Sequence, residues 1–345
     1  MESTTAKKKT ATRRKAAERW WLRRGDPEHG FAYLRADGKP LRLAPALERI
    51  RKLAIPPAWT DVHIAADDHA KVQAWGYDAA GRKQYRYHPD FVAKGAKRKY
   101  RRVLQYAHDL PRLREATERH LKQPGVGRER VLALIVRLMQ RGFFRVGSEK
   151  YAVQNKTFGI ATLRKKNLRV EGTDLFFRYV GKKSIDNRRV VADTPLVEVI
   201  HEVLKLPGAR LFKYVDEEGK VRPVTAADVN RYLKEIVGER YTSKDIRTWG
   251  GTVRAATILA DLGPAKSEAE AKKNVVLVCK LVSTELGNTP SVCRSAYIHP
   301  AVFERYLQGK TIAPLMREAP RPDDQNPGRF YPEEAALMRF LEKWG

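Results

Sequence analysis

The 345-residue chain has only two cysteines, Cys279 and Cys293, and it lacks any long hydrophobic run. Two cysteines are too few for a disulfide framework in a chain of this size. They form no CxxC pair and have no histidine cluster nearby, so we expect two buried thiols in a reducing compartment and no zinc site. No stretch reaches the roughly 18 consecutive apolar residues of a transmembrane helix, and the basic N-terminus is not followed by the apolar segment of a secretory signal.

Common nucleotide-binding motifs are also absent. Neither a GxxxxGK[ST] loop nor a glycine-rich dinucleotide fingerprint occurs, so we expect chemistry without a nucleotide cofactor. Acidic residues are scarce, because 40 Asp and Glu stand against 68 Lys and Arg, which gives a formal net charge of +28. This excess indicates a polyanionic partner, and nucleic acid fits it best. Membrane-surface binding would need a basic amphipathic helix or a lipid anchor, and neither is found.

The distribution of basic, apolar and turn-forming residues along the chain predicts three parts. Residues 1–18 form a basic arm with too few apolar residues to fold by itself. Residues 19–90 contain short apolar runs between turn residues, which is typical of a small antiparallel sheet. Residues 91–345 are predicted to be mainly helical, with a small β-meander over residues 167–192 and only helices after Thr194. The fold class is therefore α+β, with a β-rich N-terminal domain and a mainly helical second domain.

Two glycines interrupt a predicted helix in the second domain. We expect Ser243 to cap this helix, which contains Arg247 and then the pair Gly250-Gly251. Adjacent glycines weaken a helix, and a close approach of another backbone would explain them.

The segment Arg82-Lys83-Gln84-Tyr85-Arg86-Tyr87-His88 interleaves cations and aromatic residues. At strand period, Tyr85 and Tyr87 share one face while Gln84 and Arg86 share the other. Glutamine and arginine can bond to base edges, and cations can contact phosphates. A solvated edge strand with its tyrosines packed inward explains the pattern equally well, so both interpretations stay open at this point.

The stretch from Asn288 to Pro300 contains a candidate nucleophile. Thr289-Pro290 predicts the N-cap and first residue of a short helix, and Pro300 cannot continue that helix and starts the next one. Tyr297 therefore falls in the last turn before a joint, from which it can project into a cleft. Taken alone, the stretch favours the alternative of a half-buried core tyrosine.

A tyrosine that attacks a phosphodiester needs cations, a hydrogen-bond donor for a non-bridging oxygen, and an acid for the leaving alkoxide. Arg145, in a glycine-containing loop after a helix, and Arg247 could clamp the phosphoryl group. Lys182, on the last hairpin of the meander, could protonate the leaving oxygen, and Lys183 is a second candidate. Asn288 offers an uncharged amide donor.

These residues lie in six ordered blocks that resemble the type IB DNA topoisomerases of the compact poxvirus and bacterial kind. The resemblance extends from about Trp20 to Leu307. The blocks are Leu53–Trp59, Gly81–Tyr87, Phe144–Gly147 with Tyr151, Thr157 and Gly159, Val180–Lys182, Lys244–Gly250, and Asn288–Pro300.

The resemblance implies a role for each candidate. The catalytic arginines of the family fall on Arg145 and Arg247, its general-acid lysine on Lys182, and its nucleophile on Tyr297. Asn288 stands where the commoner pattern has histidine, so we expect weaker transition-state stabilisation but not inactivity. Predicted DNA contacts comprise Arg82, Lys83, Gln84, Tyr85 and Tyr87 on the amino-domain strand, together with Tyr151 and Lys183.

The resemblance also implies an architecture and an activity. A β-rich amino domain and a helical catalytic domain would close round duplex DNA as a clamp. One strand would be cut through a 3′-phosphotyrosyl intermediate, rotated and resealed, without ATP, metal or other cofactor, by a monomer in the cytoplasm at the bacterial nucleoid. The alternatives are a tyrosine recombinase, which uses the same chemistry within a tetramer, and a non-catalytic DNA clamp.

Overall fold

The computed structural model describes residues 20–238, 241–319 and 330–344, so the predicted basic arm of residues 1–18 lies outside the described residues. The described residues divide into two compact units, one up to residue 99 and one from residue 100 onward. Helix α2 (Pro89–Leu121) begins in the first unit and continues into the second. The predicted domain boundary between residues 90 and 91 falls at the start of this helix, and it stays a prediction.

The first unit contains an antiparallel five-stranded sheet in the order β2-β1-β3-β4-β5. The strands are β1 (Trp20–Asp26), β2 (Gly30–Leu34), β3 (Thr60–Ala65), β4 (Val72–Tyr77) and β5 (Lys83–Tyr87). Helix α1 (Ala44–Lys52) contributes Ile50 to a small core with Val62, Ile64 and Ala74 of the sheet. Alternate inward side chains of β3 thus meet one face of a helix, as period-2 and period-3.6 patterns require. The predicted β-rich unit is confirmed.

The second unit is mainly helical, as predicted. Its further helices are α3 (Arg128–Gly142), α4 (Glu149–Asn155), α5 (Thr194–Lys205), α6 (Ala226–Val237), α7 (Ser243–Leu262), α8 (Glu268–Leu286), α9 (Pro290–Ala296), α10 (Pro300–Tyr306), α11 (Ala313–Glu318) and α12 (Pro332–Trp344). Helix α3 is buried on nearly every side, because α5, α6, α7 and the meander pack round it. Residues 131–136 of this helix are all apolar and all buried, and a segment that is apolar all round belongs in the middle of a core. None of the described helices has the length and apolar character needed to cross a membrane.

The meander consists of β6 (Leu168–Glu171), β7 (Asp174–Val180) and β8 (Asp186–Ala192), which pair antiparallel in that order. Leu175, Phe177 and Tyr179 alternate along β7 and are buried against the main core. The turn between β7 and β8 contains Lys182, as the sequence predicted.

Two details of the second unit differ from expectation. The prediction of only helices after Thr194 is wrong, because β9 (Lys213–Val215) and β10 (Val221–Pro223) form a hairpin. Asp216 closes its turn by accepting from the backbone N–H groups of Glu218 and Lys220, and three-residue strands are too short to display a period-2 pattern. Thr242, and not Ser243, caps α7, because its backbone N–H and hydroxyl both bond to Asp245.

Candidate active site

Tyr297 lies at a joint between two short helices. The Thr289 side chain caps α9 by accepting from the backbone N–H of Val292, Tyr297 follows the last residue of α9, and Pro300 begins α10. The predicted local structure is confirmed. The Tyr297 side chain is half-buried and packs partly against the main core, so one side is supported while the other remains accessible.

The two glycines of α7 allow neighbouring groups to come close. A Cβ placed on Gly251 would lie 2.9 Å from the carbonyl oxygen of Tyr297, and one on Gly250 would collide with the ring of Phe143. The expected close approach is therefore confirmed, and it joins α7 to the backbone that holds Tyr297.

Arg247, in the second turn of α7, is the most buried cation of the site, with 3% of its surface exposed. It donates to the carbonyl of Phe143, and its Nη2 lies 2.7 Å from the carbonyl oxygen of Leu286. The guanidinium carbon is 5.2 Å from the ring centroid of Tyr297. Burial lowers the pKa of Arg247 to about 10, and the positive charge of Arg145 contributes to this lowering. The group therefore keeps its charge at neutral pH.

Arg145 and Asn288 are joined by a hydrogen bond, although they are far apart in the chain. Nη2 of Arg145 donates to the carbonyl oxygen of Gly287 over 2.6 Å and to Oδ1 of Asn288 over 2.5 Å. This contact leaves Nδ2 of Asn288 buried with no hydrogen-bond partner among the described residues, and the same is true of Nε of Arg247. Buried donors without acceptors are costly, and both belong to a cationic site that an anion would complete.

Lys182 lies in the short turn Lys182–Ser184, where Lys183 and Ser184 have left-handed φ angles of 63° and 57°. Its side chain is exposed, and no hydrogen bond or ion pair joins it to any residue in the described ranges. The structure thus brings Arg145, Arg247, Asn288 and Tyr297 together, and it places Lys182 at the tip of the neighbouring hairpin.

Arg189 belongs to the same cationic cluster but was not predicted. A Cβ placed on Gly287 would lie 3.4 Å from Nη1 of Arg145 and 3.4 Å from Nη2 of Arg189. Burial lowers the pKa of Arg189, and the charge of Arg145 lowers it further, while Nε of Arg189 is buried without a partner among the described residues. One signal was available in the sequence. Arg189 lies two positions before Val191 on β8, so the two side chains share a face, and Val191 is a core residue.

In the first unit, Tyr85 and Tyr87 lie on the outer face of β5. Their exposed fractions are 43% and 41%, and their rings stack with centroids 5.8 Å apart. The alternative with inward-packed tyrosines is therefore wrong. Gln84 and Arg82 both donate to the carboxylate of Asp78, and the bond from Arg82 is the main reason why the pKa of Asp78 falls to about 2.

The remaining predicted DNA contacts are accessible. Nζ of Lys83 lies 3.5 Å from the ring centroid of Trp75, on the same face as the tyrosines. In the second unit, Tyr151 projects from α4 with 59% of its surface exposed.

The two cysteines are free and buried, which confirms the prediction of buried thiols. Burial raises the pKa of Cys293 to about 12 and also raises that of Cys279. Within residues 20–238, 241–319 and 330–344, no group of three or more His, Cys, Asp or Glu side chains is placed to hold a metal ion.

The chain matches two descriptions of known protein families. The one for the catalytic core of eukaryotic DNA topoisomerase I matches residues 89–318. The one for the N-terminal domain of bacterial DNA topoisomerase IB matches residues 30–78.

Similar individual proteins come from viruses. The DNA topoisomerase 1B of Acanthamoeba polyphaga mimivirus is 32% identical over 283 residues, which are 80% of this chain and 84% of the viral protein. The DNA topoisomerase 1B of vaccinia virus strain Copenhagen is 24% identical over 279 residues, covering 75% and 82% of the two chains. Among solved structures, the XerH site-specific recombinase bound to its difH substrate gives a TM-score of 0.35 at 14% identity, over 55% of this chain and 47% of the recombinase.

Proposed function

Because this chain belongs to the type IB DNA topoisomerases, and is therefore an isomerase, we propose that it relaxes duplex DNA through a transient 3′-phosphotyrosyl bond to Tyr297. We assign Arg145, Arg247 and Asn288 to the scissile phosphate and Lys182 to the leaving 5′ oxygen. The observation that carries the proposal is the approach of the Arg247 guanidinium to the Tyr297 ring, at 5.2 Å, beside two buried donors without partners.

In the cleavage step, the Tyr297 oxygen attacks phosphorus and the bond from phosphorus to the 5′ oxygen breaks. The phenol proton goes to water, and the ammonium of Lys182 protonates the departing alkoxide. Resealing is the reverse, since the 5′-hydroxyl attacks phosphorus and Tyr297 leaves. The phosphotyrosyl ester conserves the energy of the broken bond, so neither step requires ATP.

The arginines and the asparagine stabilise negative charge on the non-bridging oxygens. Arg247 remains cationic at neutral pH because arginine starts from a very high pKa. Fixed carbonyl partners hold Arg247 and Arg145 in place before DNA arrives. Preorganised donors of this kind need little rearrangement during the reaction. Asn288 turns its oxygen to Arg145 and so leaves its N–H₂ group for the phosphate.

We propose duplex DNA as the partner on the basis of the net charge of +28 and the outward aromatic and cationic side chains of β5. Tyr85, Tyr87 and Lys83 are all exposed on one face of β5, which supports them as contacts. Gln84 would have to exchange its bond to Asp78 for a base edge. Further DNA contacts at Arg82, Tyr151 and Lys183, closure of the two domains as a clamp, action as a monomer and a location at the bacterial nucleoid are parts of the same proposal.

Supercoiled plasmid tests the function. The purified chain in EDTA, without ATP, should relax the plasmid, and Tyr297→Phe should abolish relaxation while DNA binding, measured by fluorescence anisotropy, is retained. Binding without relaxation by the unaltered chain would favour a non-catalytic clamp. Unchanged relaxation by Tyr297→Phe would remove Tyr297 from the nucleophile's role.

A further inference from the structure

Asn187, on β8, is buried between two turns that both belong to the candidate active site. Only 2% of its surface is exposed. A Cβ on Gly181 would collide with Nδ2 of Asn187, and a Cβ on Gly287 would lie 2.7 Å from Oδ1 of the same side chain. One amide group therefore fills the space between two glycines that are 106 positions apart in the numbering (287 − 181).

Each glycine immediately precedes a residue assigned to catalysis. Gly181 precedes Lys182, and Gly287, with φ of 61°, precedes Asn288. The Asn187 side chain thus connects the hairpin with the proposed acid to the turn with the proposed phosphate donor.

Hydrogen bonds fix this amide at both ends. Nδ2 of Asn187 donates to the carbonyl oxygen of Ile185 over 2.8 Å, and the backbone N–H of Gly181 donates to the same carbonyl over 2.8 Å. At the other end, Oδ1 of Asn187 accepts from Nη2 of Arg189 over 3.2 Å. The hairpin turn therefore has a rigid base, although the Lys182 side chain beyond it is exposed.

We propose that Asn187 is a positioning residue, which docks the Lys182 hairpin against the Gly287-Asn288 turn and so sets where the acid meets the leaving oxygen. This inference rests on the proposed function, in which Lys182 supplies the proton. It predicts that loss of the Asn187 amide impairs proton delivery more than DNA binding or phosphate stabilisation.

The test uses Asn187→Ala in single-turnover cleavage of a duplex with one defined cleavage site. Misplacement of a catalytic group by about 1 Å can slow a reaction by about 100-fold, so we expect cleavage to slow by about 10- to 100-fold. The same duplex is then made with sulfur in place of the bridging 5′ oxygen. A thiolate leaves without protonation, because a thiol is far more acidic than an alcohol, so the defect should shrink to within about threefold.

Asn167→Ala is the matched control. Asn167 is also an asparagine next to the meander, and its Nδ2 donates to the carbonyl of Arg178 over 3.0 Å. We expect its cleavage rate to stay within about twofold of the unaltered protein on both substrates. Lys182→Ala serves as the reference for a missing acid and should be rescued by sulfur.

The outcomes separate the inference from the proposed function. An Asn187→Ala defect that persists on the sulfur substrate, while Lys182→Ala is rescued, overturns the inference and leaves the acid in place. Normal cleavage by Asn187→Ala overturns it as well. Failure of sulfur to rescue Lys182→Ala removes the acid assignment itself.

Gly181→Ala provides the test if Asn187→Ala does not fold. The backbone of Gly181 is extended, with φ of −100°, so alanine is allowed there, but its Cβ displaces the Asn187 amide. We expect the same sulfur-sensitive defect, and a defect of equal size on both substrates would refute the positioning role.

Discussion

Replacing Arg247 with lysine should make DNA cleavage fall as pH rises, relative to cleavage by the unaltered protein at the same pH. Arg247 is almost fully buried, and this burial lowers its pKa from 12.5 to about 10. Arginine tolerates this lowering of its pKa, because a group with a pKa of about 10 stays mostly charged up to about pH 9. Lysine begins from a lower value and is known to lose its charge when buried.

The size of the effect follows from the site. The pKa of Arg247 is lowered by about 2.5 (12.5 − 10). The same lowering would bring a lysine from its ordinary pKa of about 10.4 to a pKa of about 8. Since the neutral form accumulates as pH rises, about one introduced lysine in ten would be charged at pH 9. Cleavage by Arg247→Lys should thus fall by about tenfold between pH 7 and pH 9. A further loss of about 100-fold, from the missing second donor arm, should be independent of pH.

The assay is the second-order rate constant for cleavage at limiting protein concentration, measured from about pH 6 to about pH 9, where Arg247 stays mostly charged. This constant reports the titration of the DNA-free protein. Dividing the variant's rate by the unaltered protein's rate at each pH cancels the pH dependence that the two proteins share. A ratio that stays flat from about pH 6 to about pH 9 would refute the idea that burial controls the charge at position 247.

Three other predictions concern Asn288, the contact between Gly251 and Tyr297, and the binding of DNA. Asn288→His should retain or raise the cleavage rate, because an imidazole N–H can donate and can also carry charge; abolished cleavage in a folded, DNA-binding variant would contradict the assigned place of Asn288. Gly251→Ala should slow cleavage by roughly tenfold, because its Cβ would lie 2.9 Å from the Tyr297 carbonyl. Calorimetry should nevertheless find little change in melting temperature, since alanine favours the helix by about 1 kcal/mol relative to glycine. A large drop in melting temperature would mean that the contact is structural. DNA affinity should fall by about 1,000-fold or more between 50 and 200 mM salt if six or more phosphates are contacted, and equal affinities would disprove the role given to the net charge.

Strong periodic patterns made much of the fold predictable. The apolar spacing from Val131 to Met139 predicted α3, and the three β-rich runs predicted the meander, because each pattern is long enough to specify one face. The β9–β10 hairpin was not predicted, because its strands have only three residues each and one aspartate holds its turn. The N-cap of α7 was misplaced by one position because Thr242 and Ser243 are both good capping residues.

The candidate site was predictable as a set of residues but not as a set of contacts. Ordered blocks pointed to Arg145, Arg247 and Tyr297, whereas the bond between Arg145 and Asn288 spans 143 positions and leaves no local pattern. Arg189 and Asn187 were missed for a related reason. Their importance comes from a glycine on a distant turn, and a polar residue on a short strand looks the same in sequence whether it faces solvent or a site.

Cleavage should leave Tyr297 covalently joined to a 3′ phosphate of DNA. The most direct measurement is to stop a cleavage reaction with detergent, digest the trapped complex with protease and nuclease, and sequence the nucleotide-bearing peptide by mass spectrometry. We expect the nucleotide on Tyr297, attached through its 3′ phosphate, and a free 5′-hydroxyl on the other DNA end. A nucleotide on any other residue, or a linkage through a 5′ phosphate, would contradict the proposed mechanism.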